Sequence, residues 1–154
     1  MAEKNLRYFM RDNTEEVITV PGPDSFKDEN GKVINLEIKV LMQKDLDRIR
    51  NNYRKHSVAT DKRGNPLAYN GEVLWKTEKD NDRTTRHIIV EALKYPNLKD
   101  KELMEFYHCA DVTEMPRLVF SRSDEYSFVT RAVLKALGII EDESDNEIVN
   151  EAKN

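Results

Sequence analysis

An alternation of apolar and polar residues restricts the possible folds of this chain more strongly than any other feature of its sequence. The apolar members are Ile34, Leu36, Ile38 and Val40, and the polar residues between them are Asn35, Glu37 and Lys39. Because successive side chains of a strand point to opposite faces, this stretch predicts a strand with one buried and one solvated face. Asn30-Gly31 favours a tight turn just before it, so residues 26–40 are predicted to form a hairpin.

The residues before this hairpin predict another strand behind a polar arm. Residues 16–20 are rich in β-branched side chains, which favour strands. Pro21-Gly22-Pro23 ends the strand because two prolines remove two backbone donors. We expect residues 1–14 to form a flexible N-terminal arm, since chain ends are loose unless they are tied down. The apolar cluster in this arm could also form a frayed helix or dock elsewhere.

After Val40 the apolar spacing changes from two residues to three or four, which is typical of helices. The predicted helices run from about Gln43 to His56, from Asp80 or Asp82 to about Lys94, from a cap at Asp100 through Phe106, and from Ser121 or Ser123 to Gly138. Thr113 can cap a further short turn, in which Pro116 comes early enough to be tolerated. The second half of the chain is therefore predicted to be mainly helical.

Together these patterns predict an α+β fold, with a small N-terminal antiparallel sheet followed by a mainly α-helical half. The 154 residues correspond to one ordinary domain, which we place at residues 15–140. Residues 57–77 contain several turn signals, including Asn70-Gly71, and predict a hairpin-like excursion from this domain. Residues 141–154 hold six acids and one base and are expected to form a disordered acidic tail.

Composition and cysteine usage limit the class of protein. Hydrophobic residues make up 38 % of the chain and charged residues 35 %, which predicts a thin core and long solvated faces. Cys109 is the only cysteine, so an internal disulfide is impossible, as is usual in a reducing cytosol. The N-terminus lacks the apolar stretch of a signal peptide, and no apolar run approaches the roughly 20 residues that span a membrane. We therefore expect a soluble intracellular protein without a membrane partner.

No familiar catalytic or nucleotide-binding motif is present. The sequence lacks the P-loop, the GxGxxG loop, the GxSxG elbow and the HExxH zinc motif. His87 and Glu91 are four residues apart and could form half of a metal site, but a solvated pair is favoured because no local third ligand is visible. His108 and Cys109 could form an activated thiolate in a hydrolase, but neighbouring helix residues do not face each other. We therefore predict a protein that is not an enzyme, without catalytic residues, cofactors or metal ligands.

A basic segment from Arg48 to Arg63 suggests an alternative function. It contains six cationic residues and one acid, with Tyr53 among them. Such a segment could follow a nucleic-acid backbone, which would make the chain a nucleic-acid-associated phage or regulatory protein. A solvated helix face explains the same pattern. Since the formal charge of the whole chain is −4, nucleic acid is the less favoured partner.

One stretch resembles the signature of a known family. The run Tyr95-Pro96-Asn97-Leu98-Lys99-Asp100-Lys101-Glu102-Leu103 is similar to the YPNLKD-x-EL segment of the XkdN-like tail assembly chaperones of phages and defective prophages. Further similar segments are Phe26 to Lys32, Leu118 to Phe120, Asp124 to Tyr126 and Val129 to Gly138. The resemblance covers roughly residues 26–138, with residues 57–77 fitting it poorly. It departs from the family pattern at His108, Cys109 and Asp124.

The resemblance implies a helper in virion morphogenesis that acts by binding and not by catalysis. Such chaperones are made beside the tape measure protein, a long helical chain that sets tail length, and keep it soluble until tail tube subunits displace them. The implied partners are the tape measure protein, the tail tube protein and further copies of the chain itself. The implied location is the host bacterial cytoplasm, with absence from the mature virion.

Five aromatic residues are candidates for the protein-binding surface. They are Phe106, Tyr107, Phe120, Tyr126 and Phe128. Side chains of this kind could line an apolar groove for a helical client. The alternative, that most of them belong to the core, is favoured because large aromatic side chains are usually buried.

Overall fold

A computed structural model describes residues 4–12 and 14–141 of the chain. Within these residues the strands are β1 (Val17–Pro21), β2 (Asn35–Lys39), β3 (Arg54–Val58), β4 (Ala68–Tyr69), β5 (Glu72–Val73), β6 (Trp75–Lys79) and β7 (Leu93–Tyr95). The α-helices are α1 (Gln43–Asn52), α2 (Asn81–Ala92), α3 (Lys101–Phe106), α4 (Met115–Val119) and α5 (Ser123–Ala136). Short 3-10 helices lie at Leu6–Phe9 and Val112–Glu114. The prediction of an α+β fold is confirmed.

The N-terminal strands form an antiparallel sheet in the order β1-β2-β7. β1 pairs with β2 along its whole length, with Val20 opposite Leu36. β7 pairs with the other edge of β2, so the alternating strand that stands out in the sequence is the central one. Its side chains at Leu36 and Ile38 are buried, whereas those at Asn35 and Lys39 are exposed. One face of the sheet is therefore available to pack against helices.

The predicted turn at Asn30-Gly31 is present, but the hairpin around it is short. The Asp28 carboxylate accepts hydrogen bonds from the backbone N–H groups of Asn30 (2.8 Å) and Lys32 (3.0 Å), which stabilises the turn. Gly31 has a φ of 80°, in the left-handed region that favours glycine. One bridge between Lys27 and Val33 extends the turn, and β2 then pairs with β1.

The apolar core lies between this sheet and the helices, and α2 is at its centre. α2 packs against α1, α4 and α5 and against the strands β2 and β7. The fully buried side chains include Ile38, Ile49, Ile89, Val90, Leu98, Met115, Val129 and Val133. Arg86 on α2 is also buried, and its guanidinium donates to the Thr113 carbonyl (3.0 Å) and to the Glu114 carboxylate (3.2 Å). These bonds tie α2 to the 3-10 helix at Val112–Glu114.

Two helices end earlier than the sequence predicts. α1 ends at Asn52 and not near His56, because the residues that follow pair with β6 as strand β3. α2 ends at Ala92 and not near Lys94, because the next residues pair with β2 as strand β7. In both cases hydrogen bonds to a strand that is distant in sequence replace the next helical turn.

Two helix starts follow the predicted caps. The Asp80 carboxylate accepts a hydrogen bond from the backbone N–H of Arg83 (3.1 Å), so Asp80 and not Asp82 caps α2. The Asp100 carboxylate accepts one from the backbone N–H of Leu103 (3.0 Å) and caps α3. Such bonds satisfy N–H groups that have no partner within the helix.

The caps predicted for the later helical segments were wrong. Asp111, and not Thr113, caps the 3-10 helix, because its carboxylate accepts hydrogen bonds from the Thr113 backbone N–H (3.0 Å) and hydroxyl (2.7 Å). At the start of α5 neither predicted serine makes a cap bond, and the Glu125 carboxylate instead accepts from the backbone N–H of Arg122 (3.1 Å). At both helix starts a carboxylate, and not one of the predicted hydroxyls, accepts a backbone hydrogen bond, and such charge-assisted bonds are strong.

The predicted arm and tail fall partly outside the described residues. Residues 1–3 and 13 of the arm and residues 142–154 of the tail lie there. In the described part of the arm, the 3-10 helix at Leu6–Phe9 is exposed to solvent. None of the helices in residues 4–12 and 14–141 has the length and apolar content that a membrane crossing requires.

Candidate protein-binding surfaces

The excursion predicted at residues 57–77 belongs to a two-stranded antiparallel ribbon. β3 and β6 pair along their whole length, with Arg54 opposite Lys79 and Val58 opposite Trp75. Further out, β4 and β5 form a smaller hairpin, whose turn at Asn70-Gly71 has φ values of 51° and 79°. We refer to residues 54–79 as the ribbon.

The ribbon is joined to the rest of the fold at one end. At its base the Asp80 backbone N–H donates to the Tyr53 carbonyl (3.1 Å), which brings the end of α1 next to the start of α2. At its tip the Asp61 carboxylate accepts hydrogen bonds from the backbone N–H groups of Asn65 (2.9 Å) and Arg63 (2.9 Å). These bonds lower the pKa of Asp61, with the backbone N–H of Asn65 as the largest cause. The tip is therefore an ordered turn.

The two faces of the ribbon differ in charge. One face, which we call the cationic–aromatic face, is formed by Arg54, His56, Val58, Trp75, Thr77 and Lys79. The Nδ1 atom of His56 lies 3.1 Å from the Thr77 hydroxyl, which confirms that these two side chains share a face. On the opposite face the Lys76 ammonium lies 2.8 Å from the Glu78 carboxylate. This pair lowers the pKa of Glu78, first through the hydrogen bond from Lys76 and then through its charge.

The ribbon exposes aromatic side chains that a core would normally cover. Every residue of β6 is exposed, and 67 % of the surface of Trp75 is accessible to solvent. Tyr69, next to the turn of the smaller hairpin, is also exposed. Exposed apolar side chains that lie close together are typical of interaction sites, and the ribbon also exposes Leu67, Val73 and Leu74. Trp75 is not among the residues predicted from the sequence to bind a partner. The sequences of β3 and β6 have no regular alternation of apolar and polar residues, so they indicate no apolar face that would include it.

A second exposed aromatic residue lies at the end of α3. Phe106 is 74 % exposed, and its ring packs edge to face against that of Tyr107, with 5.0 Å between the centroids. Tyr107 is half-buried and packs against the core. Of these two predicted binding residues, Phe106 is therefore the one that a partner can reach.

A third surface is a groove of about 1250 Å³ between β1 and α5. Phe128 is exposed in it, and Ile18, Val20 and Ala132 supply further apolar lining. Glu125 also lines the groove and is buried, and its carboxylate accepts hydrogen bonds from the Ser25 hydroxyl and the Arg122 backbone N–H. The groove thus combines apolar lining with a buried, hydrogen-bonded carboxylate.

The remaining two predicted binding residues belong to the core region. Phe120 is only 2 % exposed and packs edge to face against Phe26, with 5.5 Å between the ring centroids. Tyr126 is half-buried, and the Arg117 guanidinium lies 5.9 Å from the centre of its ring. The five residues are therefore divided among the core, the groove and the end of α3, and Phe120 is not available to a partner in this conformation.

The sequence of the chain matches a family model for the phage XkdN-like tail assembly chaperone protein. The match covers residues 6–153, which is nearly the whole chain. The chain belongs to this family. Family membership gives it a role in phage tail assembly, with tail proteins as partners, and favours a non-enzymatic function.

This tail assembly chaperone is also similar to two curated proteins and to one solved structure. The chain is 29 % identical over 161 residues to the phage-like element PBSX protein XkdN of Bacillus subtilis strain 168, with all of both chains covered. It is also 29 % identical over 145 residues to the protein YqbN of the same organism, with 93 % of this chain and 90 % of YqbN covered. The crystal structure of the protein YqbN has a similar fold, with a TM-score of 0.66 at 24 % identity, over 89 % of this chain and 98 % of that one.

In this chaperone, the histidine and the acid that could have formed half of a metal site have structural partners. The Nδ1 atom of His87 lies 2.7 Å from the Tyr53 hydroxyl, and its Nε2 atom lies 3.5 Å from the Glu91 carboxylate. Lys99 extends this series of contacts, since its ammonium lies 3.3 Å from the Glu91 carboxylate. The pair is partly buried and hydrogen-bonded, where the sequence suggested a solvated pair. Residues 4–12 and 14–141 contain no group of three or more histidine, cysteine, aspartate or glutamate side chains arranged to hold a metal ion.

The lone thiol of the chaperone is also part of the local packing. Cys109 is half-buried, as predicted, and its Sγ donates to the Asp111 carbonyl at 2.9 Å. The neighbouring His108 has a φ of 51°, which turns the chain directly after α3. These contacts give both residues a role in ending the helix.

The basic segment of the chaperone is spread over several elements. Arg48 and Arg50 on α1 lie 3.6 Å from the carboxylates of Asp45 and Asp47. The other cations of the segment lie on β3 and near the tip of the ribbon, at Arg54, Lys55, Lys62 and Arg63. The helical part fits the interpretation of a solvated, ion-paired face, and the ribbon part is a separate surface.

Proposed function

We propose that this chain binds the tape measure protein of its own phage or prophage and keeps it soluble during tail morphogenesis, without catalysing a reaction. Membership of the tail assembly chaperone family supports the proposal. The structural observation that carries it is the exposure of large aromatic side chains at Trp75 on the ribbon, Phe106 at the end of α3 and Phe128 in the groove. Such side chains suit a helical client whose apolar faces must be shielded from other copies of itself.

The size of these apolar surfaces suits a complex that forms and later dissociates. Covering one large apolar side chain contributes roughly 1.5–3 kcal/mol. Association itself costs an estimated 4–15 kcal/mol, so a few such contacts give a modest affinity. A chaperone that must give up its client to tail tube subunits requires binding of this strength.

The proposal also specifies where in the cell the chain acts and in which order it meets its partners. The chain acts in the host cytoplasm, associates there with further copies of itself and with the tape measure protein, and is released when tail tube subunits assemble. It is therefore absent from the finished virion. Among the aromatic residues predicted from the sequence, Phe106 and Phe128 are exposed and are proposed to contact the client.

Co-expression with the tape measure protein tests the function. The tape measure protein should move from the insoluble to the soluble fraction when the chain is present, and the two should co-purify. A variant with Trp75→Ala, Phe106→Ala and Phe128→Ala should lose much of this effect. A control variant with Lys62→Ala, Arg63→Ala and Lys101→Ala changes three exposed side chains that are not aromatic and should retain it. A tape measure protein that stays insoluble beside the unmodified chain would show that the proposal is wrong.

A further inference from the structure

We propose that the cationic–aromatic face of the ribbon binds an acidic segment of a protein partner. Carboxylates of the segment would lie at Arg54 and Lys79, and an apolar side chain of the segment would cover Trp75. If the proposed function is right, that partner is the tape measure protein, and the inference then names the part of the chaperone that contacts it.

The first observation is a pair of like charges in register. Arg54 and Lys79 are directly opposite each other on β3 and β6. Side chains in such positions start about 4.5–5.5 Å apart, and like charges there repel. In the described part of the chain neither residue has an ion-pair partner, whereas Lys76 on the other face is paired with Glu78. An anion bound between the two cations would remove the repulsion.

The second observation is the apolar end of the same face. Trp75 lies opposite Val58, four residues along the strand from the cationic pair. With a rise of about 3.3 Å per residue, the two ends of the face are roughly 13 Å apart. His56 and Thr77 lie between them and are hydrogen-bonded to each other. A matching segment therefore has a carboxylate and an apolar side chain roughly 13 Å apart, which is about nine residues of an α-helix.

Charge complementarity favours an acidic protein segment over nucleic acid. The ribbon carries six cationic and three acidic residues, which gives it a net charge of +3 in a chain of −4. However, only Arg54 and Lys79 lie on the face with Trp75. A protein that binds DNA with a steep salt dependence makes several phosphate contacts, for example about 6–10 of them. Two cations beside one exposed indole suit one or two carboxylates and an apolar residue.

The test uses the full chain and a synthetic, tryptophan-free helical peptide that carries glutamate and leucine residues at this spacing. Trp75 is the only tryptophan, so its fluorescence reports directly on the face. Binding should shift the emission to shorter wavelength as the indole is covered. The double variant Arg54→Glu and Lys79→Glu should weaken binding by about tenfold or more, which is 1.4 kcal/mol. Trp75→Ala should also weaken binding, as measured by the anisotropy of a labelled peptide.

A second charge-reversal variant is the control. Lys62→Glu and Arg63→Glu change the net charge by the same amount, near the tip of the ribbon and off the cationic–aromatic face. This variant should bind the peptide almost as well as the unmodified chain. All four substituted cations are exposed, so circular dichroism should show unchanged folding. Equal losses in both charge variants, or no loss in either, would overturn the inference.

Two further measurements separate the inference from its competitors. A DNA duplex that binds more tightly than the peptide, with a steep salt dependence lost in the Arg54 and Lys79 variant, would overturn it in favour of nucleic acid. Co-purification with the tape measure protein tests the proposed function separately. If the unmodified chain binds the peptide through this face but not the tape measure protein, the proposed function fails while the acidic-segment site stands. If the tape measure protein binds all variants equally, the function stands and the ribbon is not its site.

Discussion

Glu125 is a buried carboxylate that joins two segments far apart in the sequence. It is 7 % exposed, and it accepts hydrogen bonds from the Ser25 hydroxyl before β2 and from the Arg122 backbone N–H at the start of α5. Because a buried charge is tolerated only when it is well hydrogen-bonded, these partners explain why a glutamate can lie here. The residue therefore joins the segment that follows β1 to the start of α5, beside the groove between them.

Replacing Glu125 should therefore destabilise the fold. We expect Glu125→Ala to lower the free energy of unfolding by about 1–3 kcal/mol, because it leaves the Ser25 hydroxyl and the Arg122 N–H without their acceptor. Urea unfolding followed by circular dichroism measures the change. Asp124→Ala is the control, since its ion pair with Arg122 is exposed and should matter little. Equal effects of the two substitutions would contradict this role for Glu125.

Asp111 should contribute a pH-dependent part of the stability. Hydrogen bonds from the Thr113 hydroxyl and backbone N–H lower the pKa of Asp111 from its usual 3.8, with a smaller contribution from Arg83. The stabilisation is therefore complete above pH 3.8 and is lost as the pH falls through the lowered pKa of the folded state.

The Asp111→Asn variant tests this pH dependence. Its free energy of unfolding should fall less steeply than that of the unmodified chain as the pH is lowered from neutrality to below 3.8, because the amide does not titrate. Thr113→Ala removes one of the donors and should give an intermediate slope. Urea unfolding at a series of pH values provides the measurement, and parallel profiles for all three proteins would refute the assignment.

At the scale of elements, α2 lies at the centre of the apolar core, and the ribbon lies outside this core. α2 contacts three other helices and two strands of the central sheet, and its Ile89 side chain is completely buried. We expect Ile89→Ala to lower the free energy of unfolding by about 2–5 kcal/mol, because it removes buried methyl groups and leaves a cavity. Thermal and urea unfolding would show this loss. Phe106→Ala, at an exposed aromatic residue, should change the stability by less than about 0.5 kcal/mol.

The outer part of the ribbon, the tip formed by residues 60–73, should be dispensable for folding. Ala59 continues the register of β3 with β6: its N–H donates to the Leu74 carbonyl (2.8 Å), whereas the Leu74 N–H donates to the Leu67 carbonyl (2.9 Å) in the part to be removed. Replacing residues 60–73 by Asn-Gly would close β3 and β6 with a two-residue turn of the favoured kind. The shortened chain should keep the melting temperature of the full one and its affinity for the acidic peptide, because the cationic–aromatic face is intact. Loss of either would show that the tip does more than connect the strands.

At the scale of the whole molecule, stability should be unevenly distributed. β2 and α2 are covered on several sides, whereas every residue of β6 is exposed. Two-stranded ribbons are only marginally stable on their own in water. Backbone amides of the ribbon should therefore exchange with deuterium much faster than those of β2 and α2. Hydrogen-exchange mass spectrometry measures both regions in one experiment, and similar protection in the two regions would contradict this prediction.

Binding of a partner should reduce the difference in exchange rate between the ribbon and the elements β2 and α2. If the cationic–aromatic face binds an acidic segment, amides of β3 and β6 should become protected when the peptide is added, since bound and covered strands open less often. Exchange in β2 should hardly change.

The sequence alone determined the features that depend on neighbouring residues. The alternation in β2, the caps at Asp80 and Asp100 and the turn at Asn30-Gly31 each involve contacts within a few positions, and all are present in the structure. The α+β class follows from these local patterns. The signature from Tyr95 to Leu103 likewise pointed to the family before the fold was known.

Tertiary structure determined which strands pair with each other and which apolar side chains remain exposed. Residues 54–56 were predicted to continue the first helix, yet they belong to β3 because β6 supplies their hydrogen-bond partners from more than 15 residues away. Phe120 and Trp75 are both large aromatics, but the first is buried against Phe26 and the second lies on a strand that nothing in the described chain covers. Periodicity reports which side of an element is apolar. Whether another element covers that side depends on contacts between residues distant in sequence, which no local pattern contains.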